Sequence, residues 1–93
     1  MLEKNNFIIA KCKFGSTRLI TFLSENIGIV DSIIFKMDTY KHYVNVEYDN
    51  VPNDLNGDFY DKNKITLILS EIAHHSNNKE DLQYILNVNK YNL

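Results

Sequence analysis

The spacing of apolar positions changes period along the chain, and each change marks an element. From Asn6 to Phe14, Ile8, Ala10, Cys12 and Phe14 share one parity, while Phe7, Ile9, Lys11 and Lys13 share the other. This alternation predicts a strand, and the lysines mark its second face as the wet one. Behind the turn Gly15-Ser16-Thr17, which offers an N-cap, Leu19, Ile20, Phe22, Leu23 and Ile27 recur at helical spacing. The spacing predicts a helix over about Thr17–Ile27, with Gly28 suited to the left-handed residue that closes it.

Ile29–Met37 is β-branched and apolar and reads as a strand. Asp38-Thr39-Tyr40 makes a turn. Lys41–Tyr48 then alternates, with Val44, Val46 and Tyr48 on one side and Tyr43, Asn45 and Glu47 on the other. Two strands this close in sequence predict a hairpin. Asp49–Gly57 is turn-rich and holds the only proline, Pro52. Beyond it, Asp61 or Asn63 offers a cap, and Ile65, Ile68, Leu69, Ile72 and Ala73 form a helical stripe that ends at Ser76-Asn77-Asn78. Leu82–Tyr91 alternates again and reads as a fourth strand, with a short helix from Lys79 as the competing reading.

The predicted order is β-α-β-β-α-β. Right-handed crossovers would put both helices on one face of a four-stranded antiparallel sheet, an α+β architecture of the ferredoxin-like class. The helices would cover the Ile8/Ala10/Cys12/Phe14 face. The face carrying Lys11, Tyr43 and Asn45 would stay open and would be the natural place for function.

At 93 residues the chain is one domain with a modest core. Its net charge of −2 argues against a generic electrostatic binder of nucleic acid. Positive charge is concentrated before Val46 and acids dominate after it. The single cysteine, Cys12, excludes an internal disulfide and fits a reducing, intracellular compartment. Only a short apolar run follows Met1–Asn6, so no signal peptide is read, and no stretch approaches the roughly 20 apolar residues of a membrane span. The richness in Asn, Ile, Lys and Tyr suits an A+T-rich genome.

Strand three, Lys41-His42-Tyr43-Val44-Asn45-Val46-Glu47-Tyr48, resembles the third-strand signature of RNA-recognition motifs. Lys41 stands at its basic position, Tyr43 at its first outward aromatic, and Val46 and Tyr48 at its buried positions. Phe7 falls where that family has a stacking aromatic on strand one. His42 replaces a glycine, and Asn45 replaces a second outward aromatic. The runs Gly28-Ile29-Val30-Asp31 and Tyr40–Val46 are also similar to small uncharacterised RRM-like proteins of giant DNA viruses. That likeness implies a viral protein acting in the host cytoplasm or carried in the virion.

Other chemistry is thin. Glu71 and His75 would share a helix face, but a zinc site wants three or four ligands and no further cluster supplies them. The acidic series Asp49, Asp54, Asp58 and Asp61 lacks the spacing of a calcium loop. Gly15, Gly28 and Gly57 are too dispersed to cradle phosphate. Cys12 lies on the core parity. We therefore read no enzyme, no metal and no cofactor.

The binding candidates are Phe7, Ile9, Lys11, Lys13, Lys41, Tyr43 and Asn45. Two readings of them compete. In one, the open face or an edge strand meets another protein or a second copy. In the other, Phe7 and Tyr43 stack single-stranded nucleic acid while the lysines meet phosphates and Asn45 reads a base edge. A third reading is a small-molecule regulatory domain of the ferredoxin-like class, and it rests on Gly15 alone.

Overall fold

The computed structural model describes residues 1–91, with side chains described through residue 88. Five strands and two helices follow in the order β1 Phe7–Ala10, α1 Thr17–Glu25, β2 Gly28–Lys36, β3 Lys41–Glu47, β4 Lys64–Ile68, β5 Ile72–Ser76 and α2 Lys79–Tyr91. Short 3₁₀ turns lie at Asn53–Asp58 and Leu69–Glu71. The architecture is α+β, and the single sheet has the order β4-β3-β2-β1-β5 with every neighbouring pair antiparallel. The sheet therefore has five strands where four were expected, and the β-α-β-β-α-β order is not the one observed.

The first half follows the sequence in its order of elements, but β1 stops at Ala10, and Phe14, expected under the helices, is exposed. The Ser16 hydroxyl accepts a hydrogen bond from the Leu19 N–H at 3.1 Å and caps α1. The helix buries Leu19, Phe22 and Leu23 against the sheet, each worth roughly 1.5–3 kcal/mol. At its far end, the Asn26 amide donates to the Phe22 carbonyl. Gly28 does not close the helix in a left-handed turn. It is buried at the start of β2, where a Cβ would run into Val46 and lie 2.7 Å from Tyr48 Cζ.

The second half departs from expectation. The predicted helix from Asp61 or Asn63 is two strands, and the predicted fourth strand is α2. Ile65 pairs with Val46 and Leu67 with Val44, so both bury on the core face while Thr66 points out. The helical spacing of Ile65, Ile68, Leu69 and Ile72 competes with the Ile65/Leu67 alternation, and the unfilled edge of β3 decides for the strand. In α2, the Asn78 side chain accepts from the Glu80 N–H, and Glu80 and Asp81 occupy the positive first turn.

The main core joins Ile8, Ala10, Val30, Val44, Val46, Tyr48, Ile65 and Leu67 to α1 and to Leu55. On the opposite face α2 packs on β5 and β1. Leu82 of α2 and Ile9 of β1 are both buried there, outside the main core. Buried Asn6 helps to fix this arrangement: its carbonyl accepts from the Glu3 N–H, and its amide donates to Asn77 just ahead of α2. No helix among the described residues is long and apolar enough to cross a membrane.

Candidate functional site

The face opposite α1 is divided. Ile9 was expected on an open surface, but it is 4% exposed, because α2 covers the β1/β5 end. Phe7 is half-buried and borders a shallow hollow of about 500 Å³ with Asn77, Lys79 and Gln83. Lys11 and Lys13 are exposed but lie beyond β1, which ends at Ala10. The Lys11 N–H donates to the Glu71 carbonyl.

Lys41, Tyr43 and Asn45 lie together on β3 at the uncovered end, apart from the others. Phe7 stands opposite Ile29, and Ile29 opposite Glu47. Phe7 and Tyr43 are thus two strand spacings and four residues apart, roughly 16 Å at sheet dimensions. They do not form one platform for neighbouring bases. Asn45 is also engaged: its amide donates to the Ser32 hydroxyl at 2.8 Å, and its carbonyl accepts from the Thr66 hydroxyl at 2.6 Å. This polar ladder ties β2, β3 and β4 together. The Lys36 ammonium sits 5.0 Å from the centre of the Tyr43 ring and occupies one face of it.

The sequence pattern does not reveal the most exposed apolar surface. Strand β2 is nine residues long, while β1 is four. Pairing with β1 reaches only Gly28 and Ile29, and main-chain bonds from Asn5 and to Asn6 add Val30. Asn5 is then left-handed (φ 71°), and the Asn6 N–H bonds to the Glu3 carbonyl, which turns the chain away. Beyond Val30, β2 keeps β3 as its one neighbour and forms an arm; β4 flanks β3 as far as the Tyr43/Ile68 pair, and only Phe35–Lys36 with Lys41–His42 run on as a two-stranded tip. Cross-strand pairs Ile34/Tyr43 and Phe35/His42 hold it, with the latter rings 4.8 Å apart. The arm exposes Ile33, Ile34 and Phe35 by 37–46%, and its tip exposes Met37 by 71% and Tyr40 by 78%.

Reactive chemistry is muted. Cys12 is buried, and burial followed by the adjacent Glu71 carboxylate pushes its thiol up to about 12, which suppresses the thiolate. His75, expected on a helix face with Glu71, is exposed on β5 beside His74. Among the described residues no three His, Cys, Asp or Glu side chains cluster to hold a metal.

Comparison with family profiles, with curated proteins and with solved structures finds no match to this chain.

Proposed function

We propose that the domain is a non-enzymatic protein-interaction or structural module whose contact element is the β2–β3 arm. The observation that carries this reading is the run Ile33–Phe35 with Met37 and Tyr40, apolar and exposed along the open edge of β2 and the tip of the hairpin. The tip of the arm beyond the Tyr43/Ile68 pair is two-stranded and marginal by itself, so covering it stabilises both the arm and the complex. Its aromatic and methionine content matches the composition of interface centres. The net charge of −2 and the engaged Asn45 amide weigh against base recognition. The lone buried thiol suits an intracellular setting.

One observation favours single-stranded nucleic acid instead. Lys36 and Lys41 stand directly opposite each other beside Tyr43, and such a like-charge pair would welcome an anion. Fluorescence anisotropy with labelled single-stranded RNA and DNA, at low and moderate salt, separates the two readings. The interaction-module reading expects no binding. Salt-sensitive binding that is lost in Tyr43→Ala would overturn it in favour of the nucleic-acid reading.

A further inference from the structure

The β2 edge of the arm is an unpaired strand edge. Among the described residues Ser32–Lys36 have no main-chain partner on the side away from β3. Such an edge is a template for another strand. The other two edges of the sheet are guarded. On β4, Tyr60 exchanges both main-chain bonds with Lys64, and the Glu71 carboxylate accepts from the Ile68 N–H, so Thr66 alone lies between the caps. On β5, a register shift interrupts the pairing at Ile9/Ala10. Within Ser32–Lys36 there is no bulge and no proline, and the one charge is Lys36.

We propose that two copies of this chain pair through this edge, antiparallel about Ile34, joining the two sheets into one continuous antiparallel sheet. This inference rests on the interaction-module reading and names its partner and register. In an antiparallel pair, directly opposed residues share a face. Centring on Ile34 sets Ile34 against Ile34, Ile33 against Phe35, and Ser32 against Lys36, with no like charges opposed. Centring on Ile33 would push Lys36 of one copy onto Val30 of the other, whose edge Asn5 and Asn6 already occupy. Centring on Phe35 would set Lys36 against Ile34. The free edge therefore has the length and sequence for a single symmetric register.

The size of the contact sets its strength. At roughly 200 Å² per side chain, the exposed fractions of Ile33, Ile34, Phe35, Met37 and Tyr40 leave roughly 550 Å² per copy to cover. That is just under the roughly 600 Å² per partner at which stable interfaces begin, so the dimer is reversible.

Sedimentation velocity from about 1 μM to about 1 mM tests it, that span covering weak dissociation constants. The wild-type chain is expected to pass from monomer to dimer. Ile34→Lys sets two lysines face to face and should raise the dissociation constant at least about tenfold. An equimolar mixture of Ile34→Lys and Ile34→Asp chains should recover the dimer. As a measurement free of variants, amide exchange within Ser32–Lys36 of the wild-type chain should slow with concentration. A monomer at every concentration would overturn the self-pairing and leave the interaction-module reading standing. A dimer that ignores Ile34→Lys, or one without protection at Ser32–Lys36, would overturn it as well.

Discussion

Removing the Tyr48 hydroxyl should make this protein more stable. Tyr48 is 1% exposed, its ring packs at 5.6 Å from Phe22 and 6.1 Å from Phe59, and its hydroxyl finds no hydrogen-bond partner among the described residues. A buried polar group without a partner costs about 1–3 kcal/mol in lost hydration. Tyr48→Phe keeps the ring and deletes one oxygen. The void left is on the order of 10 Å³, which at about 24 cal/mol per Å³ returns only a few tenths of a kcal/mol. The net expectation is a gain of about 1 kcal/mol in urea unfolding at neutral pH, with an unchanged m-value. Burial also drives the phenol well above its ordinary value of 10.0, with a smaller contribution from Cys12. Above pH 10 the unfolded chain therefore sheds this proton while the folded chain keeps it. Wild-type stability should fall there by up to about 1.4 kcal/mol per pH unit from this group, and Tyr48→Phe should escape that part of the fall. A loss of stability in Tyr48→Phe at neutral pH would refute the reasoning, since it would mean that the hydroxyl has a partner worth more than its desolvation.

Gly28→Ala should destabilise by about 1–3 kcal/mol, because its Cβ would overlap Val46 and the Tyr48 ring in a filled core. Gly57→Ala has open space around it and should stay within about 0.5 kcal/mol in the same urea titration. Cys12 adds a second alkaline effect: its thiol is raised from 9.0 to about 12, so the unfolded chain ionises first and stability falls between those values. The window from pH 9 to pH 10 precedes the Tyr48 effect, and Cys12→Ala should flatten the stability profile there. An unchanged slope would mean that the thiol is solvated.

The elements legible in the sequence are those whose signals are local. Ser16 caps α1 where its spacing said it would, and Val44 and Val46 point into the core as their alternation requires. The segment from Asp61 to Ser76 was ambiguous, because Ile65, Ile68, Leu69 and Ile72 satisfy a helical period while Ile65 and Leu67 satisfy a strand period. Its outcome depended on β3, some twenty residues away in the chain. The start of α2 did carry a readable signal in Asn78 followed by Glu80 and Asp81, but the alternation of Tyr84, Leu86 and Val88 competed with it. Ile9 has the parity expected of it. Its burial follows from α2 and from nothing in β1 itself.

These departures have one physical cause, which also locates the proposed contact. A sheet built on β1, β2 and β3 alone would leave the outer edges of β1 and β3 unfilled. The chain between Lys64 and Ser76 fills both, laying β4 along β3 and β5 along β1. The C-terminal segment then has no edge to join, and its apolar residues find cover as a helix over Ile9 and the β1/β5 end. One edge stays unfilled because of a mismatch in length: four residues of β1 cannot shield nine of β2. The excess of β2 is the stretch Ser32–Lys36, where apolar side chains and unpaired backbone are exposed together. The contact element thus arises from unequal strand lengths, a property of the pairing that neither strand's own sequence declares.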